Sequence, residues 1–186
     1  LIERWRCKYV WQDRQNLLNQ FDHYLTKVAG VQLHFIEARS SDPEAIPLLL
    51  MGGWPSSFVQ MLDILPLLTA RGSAEEASFH VIAASLPGYP FTSFPGRGKT
   101  DFGAIADLMV ILMTEVLGFD RFAVRGSDQG GIVLQHLGLR YPSRLIGLHR
   151  SGITPFASPL PGDLSADEQA YQQEVRHWAA SETIYA

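Results

Sequence analysis

Arg121-Phe-Ala-Val-Arg-Gly-Ser-Asp-Gln-Gly-Gly131 is the stretch of sequence that decides the fold. An apolar run ends here in small residues and an amphipathic segment begins at once, which is typical of a strand that turns sharply into a helix. Such a nucleophile elbow needs small residues two positions before and two positions after its nucleophile. Centred on Ser127, those positions hold a bulky arginine and a bulky glutamine. Centred on Asp128, they are Gly126 and Gly130, so the spacing favours Asp128 as the nucleophile.

A carboxylate nucleophile decides which chemistry can follow. An aspartate attacks without a base, whereas a serine hydroxyl needs one. Attack at a saturated carbon bearing an epoxide oxygen or a halide would leave an alkyl ester on Asp128, which an activated water would then cleave. The backbone N–H groups of Gln129 and of Trp54, in the turn Gly52-Gly53-Trp54-Pro55, are the candidate donors to the resulting oxyanion. A simpler interpretation stays open, in which Asp128 only caps the following helix.

The rest of the chain alternates short apolar runs with longer amphipathic ones, which predicts an α/β fold with a mostly parallel sheet. Two extended runs, 23–29 and 31–38, meet at Ala29-Gly30 and predict an N-terminal hairpin. Further strands are predicted over 48–51, 79–86, 121–127 and 145–150, and flanking helices over 1–21, 102–117 and 129–141.

Three segments carry more detailed expectations. The aromatic residues of 1–21 could equally pack across a neighbouring lobe, and the candidate buried residues of this segment are Trp5, Val10, Trp11, Leu17, Leu18 and Phe21. A helix capped by Ser56 or Ser57 should be distorted by Pro66 and should bury Phe58, Met61, Leu62, Leu65 and Leu68. After a proline-rich stretch, Ser165 is the expected cap of a more polar helix.

Composition excludes several classes of function. The chain has 186 residues and is 46% hydrophobic, which is typical of one globular domain. Its formal charge is -4 and its 15 basic side chains are thinly spread, so we do not expect it to bind a nucleic acid. No apolar run approaches the roughly 20 residues that span a bilayer, and no membrane association is expected. The single cysteine, Cys7, cannot form an internal disulfide, which favours a cytoplasmic location.

Three other features of the sequence do not favour a binding site. The glycine-rich turn fits neither GxGxxG nor GxxxxGK[ST], and an acid at the helix start would repel a phosphate. Aromatic residues in Leu86-Pro-Gly-Tyr-Pro-Phe91 are expected to cover a sheet edge rather than to line a pocket. No metal is predicted, because the six histidines lack ligand spacing and are expected to be structural: His23, His34, His80, His136, His149 and His177.

With the elbow and the Gly-Gly-Trp-Pro turn together, the chain resembles the α/β-hydrolase superfamily and, within it, the epoxide hydrolases of the microsomal type. The resemblance runs nearly end to end, and its motifs are Trp11 to Tyr24, Leu33-His-Phe-Ile36, Ile46-Pro-Leu-Leu-Leu50, Trp54-Pro55, Ser85-Leu-Pro-Gly-Tyr89, Gly126 to Gly130, Tyr141-Pro142 and Leu148-His149. That family usually has His-Gly-x-Pro at residues 52–55 and often a tryptophan at residue 129. Neither difference removes a backbone donor.

The resemblance implies that Asp128 is the nucleophile, that the amides of Trp54 and Gln129 form the oxyanion hole, and that no cofactor is needed. It implies three parts: residues 1–22 as the end of the family's N-terminal region, 23–155 as a hydrolase core with the first six strands, and 156–186 as the start of a helical lid. The family's catalytic acid, its histidine and most lid tyrosines lie on later segments. We therefore expect them after residue 186, expect the chain to be truncated, and expect it alone to lack multiple turnover.

The leading functional hypothesis is an epoxide hydrolase, or a fragment of one, that converts a small-molecule epoxide to a diol through an ester of Asp128. One alternative is a haloalkane or haloacid dehalogenase with the same nucleophile. Gln129 makes this less favourable, because many dehalogenases cradle the halide with a tryptophan after the nucleophile. The other alternative is a non-catalytic α/β-hydrolase-like module in which Asp128 is only a cap.

Overall fold

A computed structural model describes residues 2–71, 77–93, 101–152 and 164–182. The chain divides into two compact units, Leu1–Gly152 and Ile153–Ala186, and each is treated by itself. The predicted boundary between residues 155 and 156 lies outside the described residues, and the division after residue 22 stays a prediction.

A six-stranded sheet forms the first unit, in the order β1-β2-β4-β3-β5-β6. The strands are β1 (Asp22–Val28), β2 (Val31–Ala38), β3 (Ile46–Met51), β4 (Phe79–Ala84), β5 (Phe122–Ser127) and β6 (Leu145–Ser151). β2 pairs antiparallel with β1 and β4, while β4, β3, β5 and β6 run parallel. The predicted α/β fold with an N-terminal hairpin is confirmed.

The hairpin turns on Ala29 and Gly30, whose φ angles are 46° and 86°. Two successive positive φ angles match the twist of the two strands, and glycine adopts the second without a steric penalty. Because β2 lies between β1 and β4, most of its residues are buried on both faces. His34 and Glu37 are therefore buried, which the alternation of apolar and polar residues in β2 did not indicate.

The described helices are α1 (Ile2–Lys8), α2 (Trp11–Leu18), α3 (Leu65–Thr69), α4 (Phe102–Ile111), α5 (Gln129–Arg140) and α6 (Ala166–Glu182). The structure also describes three short helical turns: a 3-10 turn at Phe58–Met61, a π turn at Leu112–Val116 and a 3-10 turn at Pro142–Arg144. Strand β6 forms one edge of the sheet, with Ile146 and Leu148 exposed.

The single helix predicted after Ser57 is wrong. Ser57 does cap a turn, since its side chain accepts a hydrogen bond from the Val59 amide, but that turn ends at Met61 and α3 begins only at Leu65. Pro66 explains the break: it has no N–H to donate to the preceding turn and fits only the first positions of a helix. Two helical pieces result instead of one.

Apolar side chains pack on both faces of the sheet. On one face, α4 and α5 cover Leu49, Met51 and Val124. On the other, the segment from Phe58 to Leu65 covers Leu48 and Leu50. The carboxyl ends of β3, β4 and β5 therefore meet between two packed layers, which fixes the positions of the turns that follow them.

The expected burial of the N-terminal segment is mostly wrong. Trp5 and Trp11 are 69% and 61% exposed, and Val10 and Leu17 are also exposed. Leu18 and Phe21 are half-buried and pack against the core. Neither α1 nor α2 buries a residue, so the apolar spacing in this segment does not mark a core-facing helix.

Helix α6 is the described element of the second unit. Ser165 and Glu168 form a capping box: Glu168 accepts hydrogen bonds from the amide and hydroxyl of Ser165, and the Glu168 amide donates to the Ser165 hydroxyl. These bonds lower the pKa of the Glu168 carboxyl. The predicted cap is thus confirmed. Across the part of the chain that the structure describes, no helix combines the length and apolar character needed to cross a bilayer.

Candidate active site

Asp128 stands at the tight bend between β5 and α5. Its backbone angles are φ 51° and ψ -125°, a conformation that non-glycine residues rarely adopt. Strained backbone of this kind persists only where the surrounding structure imposes it, and it is concentrated at functional sites. The predicted elbow geometry is therefore present, with Asp128 at its apex.

Close packing explains both glycines around this bend. A Cβ on Gly126 would come within 2.6 Å of the carbonyl carbon of Gly130 in α5. A Cβ on Gly130 would come within 2.7 Å of the carbonyl oxygens of Met51 and Gly52, at the end of β3. Both contacts are with backbone, which cannot move aside cheaply. These contacts give the steric reason for glycine at both positions, while the choice of Asp128 as nucleophile stays a prediction.

The side chain of Asp128 does not cap its own helix. Within the described residues it makes no capping hydrogen bond, and its Oδ1 accepts a hydrogen bond of 3.0 Å from the Trp54 amide, in the turn after the neighbouring strand β3. The first turn of α5 uses the Asp128 carbonyl oxygen instead, which accepts from the amides of Gly131 and Ile132. The structure therefore contradicts the cap interpretation.

Trp54 reaches this position through the turn that follows β3. Gly53 lies against the carboxylate so closely that a Cβ there would sit 2.5 Å from the Asp128 Cβ. The Gly130 amide donates to the Gly52 carbonyl at 2.9 Å, which ties this turn to the start of α5. The Trp54–Pro55 peptide bond is cis. One predicted oxyanion donor, the Trp54 amide, thus already contacts the candidate nucleophile.

Gln129 is the first residue of α5. The first amides of a helix have no acceptor inside the helix, and they lie at the positive end of its dipole. The amide of Gln129 is thus suited to binding an oxyanion on the adjacent Asp128. Its side chain accepts a hydrogen bond of 3.1 Å from the Tyr89 hydroxyl.

A small hollow borders this turn. Its walls are mostly apolar or glycine, and they are Gly52, Gly53, Ser57, Phe58, Met61, Ala84, Ser85, Leu86 and Tyr89. The expectation that the aromatic residues of 86–91 cover a sheet edge is therefore wrong for Tyr89, which lines the hollow. Phe91 is 64% exposed and lies against the His34 ring. The turn after β4 bends back over the ends of the parallel strands, and that path is not visible in its sequence.

Ser127 lies on the other side of the sheet from the helix α5 layer. Its hydroxyl accepts a hydrogen bond from Arg125, which also donates to Ser151. Ser127 and Arg125 line an apolar groove of about 630 Å³ together with residues of β3 and β6. The serine of the elbow is therefore held away from the carboxylate.

Sequence reasoning missed a hydrogen-bonded chain behind the hollow. His34 Nδ1 lies 2.9 Å from the Ser85 hydroxyl, its Nε2 lies 3.0 Å from His23 Nδ1, and His23 Nε2 lies 3.0 Å from the Leu18 carbonyl oxygen. A carbonyl only accepts, so His23 donates through Nε2, His34 donates to His23, and Ser85 donates to His34. Burial, and then the proximity of His23, lower the pKa of His34 to about 4. The expectation that His34 is structural fits this arrangement.

No described histidine of the first unit is hydrogen-bonded to Asp128. Among the described residues, no group of three or more histidine, cysteine, aspartate or glutamate side chains could hold a metal ion. Among the described residues, the site thus presents a carboxylate beside backbone donors.

Two family descriptions match the chain: "Epoxide hydrolase N terminus" over residues 1–61 and "alpha/beta hydrolase fold" over residues 46–181. A Stigmatella aurantiaca relative is 38% identical and aligns with 91% of this chain and 39% of its own length. The juvenile hormone epoxide hydrolase 1 of Ctenocephalides felis is 33% identical over 80% of this chain and 32% of its own length. The crystal structure of juvenile hormone epoxide hydrolase from the silkworm Bombyx mori superposes with a TM-score of 0.75 at 30% identity, covering 80% of this chain and 40% of that one.

The elbow, the parallel sheet and these matches show that the chain belongs to the α/β-hydrolase fold family. The N-terminal third of the chain also matches the epoxide hydrolase N terminus, and both relatives described above are named as epoxide hydrolases. The chain spans between about a third and two fifths of the length of the proteins it matches.

Proposed function

We propose that Asp128 is the nucleophile of an epoxide hydrolase, with the backbone amides of Trp54 and Gln129 as its oxyanion hole. One observation carries the proposal: the carboxylate stands at the apex of the bend, bound to the Trp54 amide and not to its own helix. The names of the matched relatives support an epoxide as the substrate. They do not favour a dehalogenase or a non-catalytic module.

The first step is attack by the free carboxylate oxygen. Oδ1 of Asp128 is held by the Trp54 amide, while Oδ2 accepts no hydrogen bond from any described residue. Oδ2 therefore attacks an epoxide carbon. The carbon–oxygen bond of the ring breaks, the ring oxygen takes up a proton from solvent water, and a hydroxyalkyl ester of Asp128 forms.

Water then cleaves the ester at Cγ. Addition of water places negative charge on Oδ1, the oxygen that the Trp54 amide contacts at 3.0 Å. This is the distance at which a preorganised donor stabilises a developing oxyanion. Breakdown of the intermediate breaks the bond between Cγ and Oδ2 of the ester, releases the diol and restores the carboxylate with one oxygen from water.

The second step needs a base for the water, which none of the described histidines of the first unit supplies at Asp128. The ester should therefore accumulate in the 186-residue chain. Incubation with styrene oxide and mass spectrometry of the digested protein should show one adduct, with the mass of the epoxide, on the peptide that contains Asp128.

Asp128→Asn should abolish this adduct, because an amide is a poor nucleophile. Asp101→Asn serves as the matched control, because Asp101 is also an exposed aspartate at a helix start, with a capping hydrogen bond to Ala104. That variant should be labelled like the parent. Undiminished labelling of the Asp128→Asn protein, or an adduct mapped to another residue, would refute the proposal.

A further inference from the structure

The side chain beside the candidate nucleophile is fixed by a residue from another turn. The Tyr89 hydroxyl donates to Gln129 Oε1 at 3.1 Å, across 40 positions of sequence. Both side chains are half-buried, and Tyr89 also lines the hollow next to Asp128. Gln129 is therefore held at the site and does not extend freely into solvent.

Tyr89 is itself held by a closely bonded turn. The Tyr89 amide donates to Leu86, and the Thr92 amide donates to the Tyr89 carbonyl. The buried Thr92 hydroxyl donates to the Ser85 carbonyl at 2.8 Å and accepts from the His34 amide at 2.9 Å. These bonds anchor the turn to β2, so the Tyr89 hydroxyl approaches Gln129 from a defined direction.

That hydrogen bond sets the orientation of the Gln129 amide. The oxygen and nitrogen of an amide lie on opposite sides of Cδ, so Oε1 on Tyr89 leaves Nε2 with its two N–H donors facing away from Tyr89. No described residue accepts a hydrogen bond from Nε2. A pair of donors therefore remains on the residue that directly follows the candidate nucleophile, and its partner Tyr89 lines the apolar hollow.

We propose that the Gln129 side chain selects epoxides that carry a hydrogen-bond acceptor next to the ring, such as the oxygen of a glycidyl ether, and that Tyr89 is its positioning residue. This inference rests on the proposed function. A substrate oxygen at this place pairs with Nε2, whereas a methylene leaves the amide without a partner. Sites with an oriented polar group discriminate in this way between substrates of the same shape.

Phenyl glycidyl ether and 4-phenyl-1,2-epoxybutane test the proposal, because they differ only in an oxygen replaced by a methylene. The measured quantity is the ratio of their rates of adduct formation on Asp128 in the 186-residue chain, which cancels any general loss of folding or nucleophilicity. Gln129→Met removes the donors at similar side-chain length and keeps the backbone N–H. It should lower the ether-to-carbon ratio about 3- to 10-fold, as expected for one neutral hydrogen bond.

Tyr89→Phe removes only the orienting hydroxyl and should lower the same ratio about 2- to 3-fold. The double variant should match Gln129→Met alone, because Tyr89 acts through Gln129. A merely structural role would lower both rates equally and leave the ratio unchanged.

An unchanged ratio in Gln129→Met would overturn the selectivity proposal, and an additive double variant would overturn the role of Tyr89. Failure of the proposed function gives a different result: neither epoxide labels Asp128 in the parent protein, or Asp128→Asn is labelled as well.

Discussion

Acidification should destabilise the protein through one buried imidazole, that of His34. Its pKa is about 4 in the folded chain, against 6.5 for an ordinary histidine, because burial and then His23 disfavour its charged form. Between these values the unfolded chain binds a proton that the folded chain does not. The stability linked to His34 is thus fully present above pH 6.5 and is lost as the pH falls toward 4.

The size of the loss follows from the two pKa values. One pKa unit corresponds to about 1.4 kcal/mol, so the free energy of unfolding should fall by about 2 kcal/mol at pH 5 and about 3 kcal/mol at pH 4 from this group alone. The groups that face the ring are His23, Ser85, and the aromatic rings of Phe58 and Phe91. None of them is an acid that could stabilise the imidazolium.

Urea unfolding at several pH values from 7.5 to 4 measures this effect against His34→Asn, which removes the titrating ring and keeps an acceptor near Ser85. The variant should be less stable than the parent at pH 7.5, and the gap should narrow by about 3 kcal/mol by pH 4. His149→Gln, at an exposed histidine of β6, controls for the loss of one imidazole. Parallel stability curves for the parent and His34→Asn would refute the reasoning.

Two further substitutions test the packing and the capping described above. Gly130→Ala places a Cβ 2.7 Å from two backbone oxygens and should cost about 2 kcal/mol or more in chemical denaturation, whereas Gly147→Ala, with nothing within 4 Å, should change stability by less than about 0.5 kcal/mol. Equal effects of the two would contradict the packing argument. Asp101→Ala removes the cap of α4 and should cost about 1 kcal/mol, while Asp101→Asn should cost little; a large loss in the asparagine variant would show that Asp101 has another role.

The elbow could be predicted from sequence because its signal is local. Glycines lie two positions either side of Asp128, although Gly126 meets backbone at the same bend and Gly130 meets the end of β3. Apolar runs such as Leu48 to Met51 likewise mark strands buried on both faces. Both signals lie within a few residues of the feature they specify. The match between prediction and structure is correspondingly good for β3, β5 and α5.

Features that depend on distant segments could not be predicted in this way. His34 is buried because β2 lies between β1 and β4, and the residues near it in sequence do not indicate that arrangement of strands. Tyr89 meets Gln129 only because the turn after β4 bends over the site. The exposure of Trp5 and Trp11 could not be predicted either, because apolar spacing indicates an apolar face of a helix but not whether another part of the protein covers that face.

The hydrogen bond between Trp54 and Asp128 joins residues 74 positions apart, on turns after two parallel strands that are neighbours in the sheet. The hairpin of β1 and β2 closes over two residues. The pairing of β3 with β5 instead closes a long loop of chain that contains β4 and α4. Long loops lose more entropy on closure, so we expect local contacts to form first and this one late in folding. On that order of assembly, the carboxylate gains its amide partner only after β3 and β5 have paired.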